Sequence, residues 1–329
     1  MLEYEVIEGA RPTPDREGKS TMAHYAGVRE AAKKYPIVYD ALRKVKRRAM
    51  FVVYGRDFRT ESALRLFAPN SEGGRSAIAD LTIQSANQTF PLLAQFAGQY
   101  CDRRAVELTA REFWQQTGSS VTADTLRELF NTTGSDKSTH HDYHYVYAPM
   151  LASPANVRNI LEIGLGTNNT DVASHMGESG KPGASLRAFR DFLPNAQIYG
   201  ADVDKRILFQ EDRIHTFFVD QTDIQSFGEL ARLNAMFDLI IDDGLHSPNA
   251  NIAVLLFGLR KIIPGGWLVV EDIDQAARPV WQVFSSLLPA GYKSYLIDAK
   301  NGLVFAVQRE VEAVNVLNRS GSHAGKGSQ

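Results

Sequence analysis

A short apolar run that ends in two closely spaced glycines constrains the fold of this 329-residue chain more than any other stretch. Residues 159–163 read Asn-Ile-Leu-Glu-Ile, and Gly164 and Gly166 follow directly. Consecutive apolar residues are typical of a strand buried on both faces. Glycines let the backbone approach a ligand closely because they lack a Cβ atom. The stretch therefore predicts the first strand and turn of a nucleotide-binding sheet, although the two glycines alone fit an ordinary turn equally well.

Apolar runs alternate with helical periodicity after residue 150, which is typical of βαβ units and a parallel sheet. The runs are 159–163, 197–201, 216–219, 238–241, 267–270, 293–298 and 303–308. The helical segments between them are 184–193, 223–233, 249–263 and 280–288. Asn301-Gly302 is a strong hairpin signal. We therefore predict an α/β fold: a doubly wound, mostly parallel seven-stranded sheet with a C-terminal antiparallel hairpin, preceded by a smaller helical domain.

The helical domain is predicted from the first 130 residues, where apolar residues recur at spacings of three and four. The segments with this helical spacing are 39–50, 76–100, 105–117 and 123–132. A short strand is predicted before them, within residues 2–7. We expect three parts: a helical auxiliary domain at 1–130, a nucleotide-binding domain at 131–310, and a disordered tail at 311–329.

Composition excludes several partners. The formal net charge is −2 and the pI is about 6.5, so no basic excess indicates nucleic acid. Cys101 is the only cysteine, which rules out a disulfide within the chain and fits a reducing cytoplasm. No run approaches the roughly 18 apolar residues of a membrane span, and the N-terminus lacks the apolar core of a signal peptide. We expect a cytoplasmic protein that binds neither nucleic acid nor membrane.

Acidic residues follow the predicted strands at their carboxyl ends, where such sheets bind ligands. Asp202 can take both ribose hydroxyls of an adenosine in a bidentate hydrogen bond. Asp220 can accept from an adenine amino group or cap a turn, and both interpretations are equally open. Asp242 could equally contact the ligand or support a residue that does, and the Lys137 ammonium could pair with a ligand carboxylate. The predicted cofactor-binding residues are Lys137, Glu162, Gly164, Gly166, Asp202, Asp220, Gln221 and Asp242.

Three further carboxylates are expected to converge at the same edge. Asp243 follows one strand, and Glu271 and Asp272 end the next. Clustered carboxylates raise one another's pKa unless a cation lies among them, and oxygen ligands suit Mg²⁺. His246, three residues beyond Asp243, is placed to act as a base near neutral pH. We predict a divalent metal site with His246 as the catalytic residue.

A segment rich in histidine precedes the first strand of the sheet. His140, His141 and His144 could suggest zinc, but no cysteine lies nearby and no carboxylate follows at a recognisable spacing. We expect this segment to cap the cofactor pocket with aromatic and imidazole side chains.

Taken together, these motifs resemble the class I S-adenosylmethionine-dependent methyltransferases. The resemblance rests on ExGxG at 162–166, Asp202, DLIIDDG at 238–244, PGGWLVVED at 264–272 and the terminal hairpin. Within that superfamily, the chain is most similar to the metal-dependent macrolide sugar O-methyltransferases of the mycinamicin 2″-O-methyltransferase type. GSDKSTHHDYHYVY before the first strand, a glycine-rich insert, and the DDGxH and ED pairs are shared with that type. The similarity covers roughly residues 130–308.

The resemblance implies an EC 2.1.1 enzyme that uses S-adenosyl-L-methionine and Mg²⁺ to methylate a hydroxyl on the sugar of a glycosylated natural product, as in antibiotic biosynthesis. It implies that residues 131–310 form the S-adenosylmethionine-binding methyltransferase domain. Asp243, Glu271 and Asp272 would be metal ligands, and His246 the base. We also expect a homo-oligomer, with the helical domain supplying contacts and shaping the acceptor pocket.

Three alternatives are weaker. One is methyl transfer to nitrogen or carbon, or a protein resembling cephalosporin hydroxylase proteins, which share the DDGxH neighbourhood. A second is a non-catalytic cofactor-binding scaffold, against which the intact acidic and glycine motifs argue. A dehydrogenase is disfavoured because Asn169 stands where the third glycine of its fingerprint would be.

Overall fold

The structure is a computed structural model that describes residues 63–70, 74–116 and 120–311. The chain divides into two compact units, Met1–Thr89 and Phe90–Gln329. The strand expected within 2–7, the helical segment at 39–50 and nearly all of the tail expected at 311–329 lie outside the described residues. Among the helices that are described, none is long and apolar enough to cross a membrane.

Helices and strands alternate through the second unit, as the sequence predicts. The described helices are α1 Arg75–Tyr100, α2 Ala110–Gln115, α3 Ser120–Thr133, α4 His144–Met150, α5 Ala184–Phe192, α6 Gly228–Arg232, α7 Pro248–Gly258 and α8 Arg278–Leu287. The strands are β1 Val106–Thr109, β2 Asn159–Ile163, β3 Gln197–Asp202, β4 Gln210–Glu211, β5 Ile214–Phe218, β6 Phe237–Asp242, β7 Ile262–Ile273, β8 Tyr292–Ala299 and β9 Gly302–Arg309.

All of these strands join one sheet in the order β1-β8-β9-β7-β6-β2-β3-β5-β4. The central strands β7, β6, β2, β3 and β5 run parallel, whereas β9 runs antiparallel to both β7 and β8. The predicted α/β class, with a mostly parallel sheet and a C-terminal antiparallel hairpin, is confirmed. The sheet has two more strands than predicted, because β1 and β4 extend its two edges.

Strand β1 lies inside a segment whose apolar spacing predicts a helix, so the prediction for 105–117 was wrong in its first part. Val106 to Thr109 alternate between half-buried and exposed side chains and pair parallel to β8. Helix α2 then begins after Thr109, whose hydroxyl accepts from the Glu112 amide while the Glu112 carboxylate accepts from the Thr109 amide. This capping box fixes the change from strand to helix. A four-residue strand is too short for periodicity to separate it from a helix.

The sheet is covered on both faces. On β6, Leu239 and Ile241 pack into one apolar core, which also contains residues of α2 to α5. Ile240, between them, packs into the other, with residues of α6 to α8. Adjacent strand residues point to opposite faces, and this explains why the central strands read as continuous apolar runs. Residues 106–133 belong to the same compact unit as the sheet, and the domain boundary near residue 130 stays a prediction.

The order of the strands determines where a ligand can bind. From β2 the chain first builds outwards through β3 and β5, then returns to the other side of β2 with β6 and β7. A crevice opens at the carboxyl ends of strands where the direction of winding reverses. The ends of β2, β3, β6 and β7 therefore meet at one place, and the predicted acidic residues lie there.

Candidate active site

A cavity of about 910 Å³ opens at these strand ends. Its volume lies within the usual range for sites that bind small molecules and cofactors, roughly 300–1,000 Å³. Ten of the predicted site residues line it: Lys137, Gly164, Gly166, Asp202, Asp220, Gln221, Asp243, His246, Glu271 and Asp272. The other two, Glu162 and Asp242, are fully buried and do not line the cavity. Residues 171–176 of the glycine-rich insert also line it.

The glycine turn packs directly against the end of a neighbouring strand. Gly164 has a φ of 97°, and a Cβ atom there would lie 2.0 Å from the carbonyl oxygen of Asp243. Glycine is therefore required by the packing of the two strand ends, whatever ligand binds nearby. Gly166 has a φ of 70°, and its Cβ atom would contact the flexible side chain of Met176.

Asp202 is fixed by the backbone of the same turn. Its Oδ2 accepts from the Leu165 amide at 2.8 Å, and its Oδ1 accepts from the Asp204 amide at 2.8 Å. Burial raises the pKa of Asp202, and these amide donors oppose the rise. The carboxylate thus joins the ends of β2 and β3 and lines the cavity.

Asp204 was not predicted as a site residue, yet it collects more hydrogen bonds than Asp202. Its carboxylate accepts from the Thr167 hydroxyl and the Asn169 side-chain amide, each at 2.7 Å, and from the Arg206 guanidinium. Arg206 also pairs with Asp171 of the insert at 2.9 Å. These hydrogen bonds, with that of Arg206 first, hold the pKa of Asp204 well below its usual value. The second acid of the Asp-Val-Asp sequence was the available signal.

Two predicted cofactor residues have structural partners. Asp220 Oδ1 accepts from the amide and the hydroxyl of Thr222, at 2.9 and 2.6 Å. This is the geometry expected of a turn acid. Gln221 donates to Asp242 at 2.6 Å and accepts from the Leu245 amide at 2.8 Å, so it connects the end of β6 to the loop that follows. Both residues line the cavity, and their contact with a cofactor stays a prediction.

Asp242 is buried behind this wall. Its two oxygens accept from the side-chain amides of Gln221 and of Asn251 in α7, the latter at 2.8 Å. Burial raises the pKa of Asp242 to about 6, against the lowering effect of these two donors. The geometry favours the interpretation of Asp242 as a support for its neighbours rather than a direct ligand.

The ammonium of Lys137 lies inside the predicted acid cluster. Its Nζ is 2.8 Å from Asp243 Oδ2 and 3.1 Å from Glu162 Oε1, and it donates to Glu271 Oε2. Lys137 is 2% exposed, and Glu162 and Glu271 are 0% and 1% exposed. Lys137 thus has three protein carboxylates as partners. The predicted pairing with a ligand carboxylate would require the ammonium to move.

These charges shift one another's pKa values. Burial works against the charged ammonium, but Asp243 and Glu271 outweigh it, so the pKa of Lys137 is raised well above its usual value. Burial raises the pKa of Glu271 well above that of a free glutamate despite Lys137. For Asp243, burial is opposed by the Lys137 ammonium, and the pKa is lowered. The three carboxylates around Lys137, those of Glu162, Asp243 and Glu271, therefore share this ammonium as their counter-ion.

Asp243 and Asp272 form an outer group with His246. The imidazole Nε2 lies 4.0 Å from Asp243 Oδ1 and 3.9 Å from Asp272 Oδ2. His246 and Asp272 both have positive φ, 54° and 52°, a conformation that costs roughly 1–2 kcal/mol for a residue with a Cβ atom. Such strain is found at functional sites, where the surrounding structure enforces it.

Tyrosines from α4 and its N-cap hold the two acids at the end of β7, and these tyrosines are not among the predicted site residues. Tyr143 donates to Asp272 Oδ1 at 2.5 Å, and Tyr147 donates to Glu271 Oε1. Burial raises the pKa of both phenols, so they remain donors. The available signal was their spacing of four residues, which places both side chains on one face of a helix.

Part of the histidine segment lines the cavity, and its role as a cap over a cofactor stays a prediction. His140, His141 and Tyr143 line it, and His141 Nδ1 lies 3.3 Å from Asp272 Oδ1. His144 instead is buried, and burial lowers its pKa. Within the described residues, two groups of side chains are close enough to hold a metal ion. Neither group includes a histidine of this segment.

The two possible metal groups share one carboxylate. Donor atoms of Asp243, His246 and Asp272 lie within 4.8 Å of one another, and so do those of Glu162, Asp243 and Glu271. The outer group, with two carboxylates that are each 26% exposed, fits a hard divalent cation. Glu271 belongs to the inner group, where Lys137 provides the positive charge.

Comparison with known proteins gives partial matches. No protein-family model matches the chain. It is 31% identical over 151 residues to the 8-demethyl-8-alpha-L-rhamnosyl tetracenomycin-C 2'-O-methyltransferase of Streptomyces olivaceus, covering 45% of this chain and 38% of that protein. It is 39% identical over 98 residues to the Mycinamicin VI 2''-O-methyltransferase of Micromonospora griseorubida, covering 30% and 24%. The predicted resemblance is confirmed.

The chain spans less than two-fifths of the length of these curated relatives. Among solved structures, it is similar to the MycE methyltransferase of the mycinamycin biosynthetic pathway in complex with Mg and SAH. That similarity has a TM-score of 0.45 and 23% identity, and it covers 62% of this chain and 57% of the other.

Proposed function

We propose that this chain is a divalent-metal-dependent O-methyltransferase that transfers a methyl group from S-adenosyl-L-methionine to a hydroxyl on the sugar of a glycosylated natural product. The observation that carries the proposal is the convergence of Asp243, Asp272 and His246 within 4.8 Å at the wall of the cavity that the glycine turn also lines. The sequence relatives, named as O-methyltransferases, support the reaction class.

His246 is the base in this proposal. As the hydroxyl oxygen of the acceptor forms its bond to the methyl carbon, the carbon–sulfur bond breaks and its electrons stay on sulfur, giving S-adenosylhomocysteine. The hydroxyl proton passes to Nε2 of His246. The His246 side chain is one-third exposed, and its Nε2 lies 4.0 Å from Asp243 Oδ1. A positioned base of this kind contributes roughly 10²–10⁴-fold in rate.

Asp243 and Asp272 would hold the metal ion, with Glu271 as the third predicted ligand. A bound divalent cation supplies Lewis acidity that favours loss of the hydroxyl proton. Tyr143 keeps Asp272 in place through its hydrogen bond of 2.5 Å. The glycine turn, Asp202 and the insert would orient the two substrates, and orientation is a large source of rate acceleration in bimolecular transfer.

The test is an assay of the purified chain with S-adenosyl-L-methionine, Mg²⁺ and a panel of glycosylated polyketides and their aglycones. We expect mass spectrometry to find one added methyl group on a sugar oxygen of a glycosylated acceptor, and none on the aglycones. Methylation at nitrogen or carbon would identify the alternative enzyme.

A non-catalytic binding protein is the second candidate, and the position of Lys137 favours it. A lysine that stays within the acid cluster already supplies part of the positive charge that a metal would otherwise bring. Calorimetry separates the two: such a scaffold would bind S-adenosylhomocysteine, give no turnover with any acceptor, and show no heat on titration with Mg²⁺.

A further inference from the structure

The inner acid group has an internal counter-ion. Glu162, Asp243 and Glu271 surround the Lys137 ammonium, with Nζ–oxygen distances of 3.1 Å to Glu162 and 2.8 Å to Asp243. Buried carboxylates without a cation would repel one another strongly. In this structure the ammonium therefore does what a metal ion would do for the same acids.

The ammonium and a divalent cation would need the same oxygens. Glu271 Oε2 accepts from Lys137 and Oε1 accepts from Tyr147, so both of its oxygens have donors. Asp243 Oδ2 accepts from Lys137, which leaves only Oδ1 facing His246. A cation coordinated by Asp243 and Glu271 would stand within a few ångströms of Nζ, where like charges repel. Both cannot occupy this position at once.

We propose that Lys137 is an exchangeable counter-ion: it holds Asp243 and Glu271 in the metal-free protein and withdraws toward Glu162 when a divalent cation binds. This inference rests on the proposed metal site. It also reconciles the prediction of Glu271 as a metal ligand with a structure in which a lysine holds that residue.

The local structure permits the exchange. Lysine carries its charge at the end of a flexible four-carbon stem and moves more easily than a bidentate arginine. Lys137, Asp243 and Glu271 all line the cavity, so a cation that enters it can reach the carboxylates that the ammonium holds. Glu162 remains as a partner, because its Oε2 is fixed by the Ser185 hydroxyl at 2.6 Å while Oε1 faces the ammonium.

A crystal structure of the wild-type chain with Mn²⁺ tests the exchange directly, and the anomalous signal locates the ion. We expect Mn²⁺ bound to Asp243 and Glu271, with Nζ of Lys137 no longer within hydrogen-bond distance of either. Mn²⁺ at the outer acids with Lys137 still on Glu271 would overturn the inference while leaving the metal site intact. If no Mn²⁺ binds, the metal dependence in the proposed function and this inference both fail.

Variants give a second readout that does not use activity. Lys137→Met removes the competing charge, so we expect it to bind Mn²⁺ at least about tenfold more tightly than wild type does. Mn²⁺ should therefore raise the melting temperature of this variant by more than it raises that of wild type. Lys137→Arg keeps the charge and should not bind Mn²⁺ more tightly than wild type. Lys293→Met, on the exposed side of β8, is the matched control and should match wild type.

A purely structural lysine would give a different result. The melting temperature of Lys137→Met would then be lower than that of wild type by the same amount with and without Mn²⁺. Its affinity for Mn²⁺ would be unchanged or weaker. Either finding would overturn the inference. If this variant does not fold, the crystal structure with Mn²⁺ decides alone.

Discussion

The two halves of the cavity hold their acids in different ways. At the ends of β2 and β3, Asp202 accepts hydrogen bonds from two backbone amides. At the ends of β6 and β7, by contrast, Glu271 and Asp243 are held by the ammonium of Lys137. Backbone amides are part of the fold and cannot leave, whereas a side-chain cation can be replaced. We therefore expect the first half to be a fixed frame for a cofactor and the second half to be the place where a cation binds.

Metal removal should have the largest effect, and it should be confined to the second half. We expect turnover to fall to background in EDTA and to return with Mg²⁺, because Asp243 and Asp272 would lose the ion that they are proposed to hold. S-adenosylhomocysteine should still bind, with its affinity measured by calorimetry in both conditions. Full turnover by protein shown to be metal-free by elemental analysis would contradict the division of roles.

His246→Ala should come next, with a fall in turnover of about 10²–10⁴-fold. The imidazole lies at the second half, so the affinities for S-adenosylhomocysteine and Mn²⁺ should change little. His215→Ala is a suitable control, because His215 lies on β5 outside the cavity and contacts Gln197 and Gln210. Near-normal turnover of His246→Ala at neutral pH would remove the base from the mechanism. Parallel loss of metal affinity would instead indicate that His246 acts as a ligand or support.

Substitutions in the glycine turn should separate packing from binding in the first half. Gly164→Ala places a Cβ atom 2.0 Å from the Asp243 backbone, so it should lower both stability and the affinity for S-adenosylhomocysteine. Gly166→Ala has the flexible Met176 side chain as its nearest neighbour and adds roughly 1–2 kcal/mol of backbone strain. Thermal melts and calorimetry on the pair measure both effects. Equal stability of the two variants would contradict the close approach of the strand ends.

The smallest effect is expected at Asp204, in the frame of the first half. Its pKa is depressed, so the charged form stabilises the fold above the ordinary pKa of roughly 4 and this contribution is lost as the pH falls further. Asp204→Asn should cost about 1 kcal/mol at pH 7, because Arg206 is half exposed and solvent screens the pair.

The pH dependence provides the check. Urea unfolding at pH 7 and at pH 3 should show the difference between wild type and Asp204→Asn shrinking at the lower pH. Asp171→Asn, which loses an exposed partner of the same arginine, should change stability less at both values. A difference that stays constant with pH would mean that the charge of Asp204 is not what stabilises the loop.

Much of the fold could be read from the chain because its signals are local. The run at 159–163 coincides with β2, and Asn301-Gly302 lies at the turn between β8 and β9. The short edge strand β1 could not be read, since its four residues gain their conformation by pairing with β8, far along the chain. Helical periodicity also continues across Thr89 and Phe90, where the chain divides into two compact units, because both residues lie within α1.

The sequence by itself determined which residue types stand at the ends of the strands, and the order of the strands brought Asp243, Glu271, Asp272 and His246 to one cavity. Only the tertiary structure decided what those residues contact. Lys137 precedes Glu271 by 134 residues, and nothing local in the chain indicates that its ammonium enters the acid cluster. The physical reason is that buried charges must be neutralised by whatever group the packing brings near, and packing depends on the whole fold.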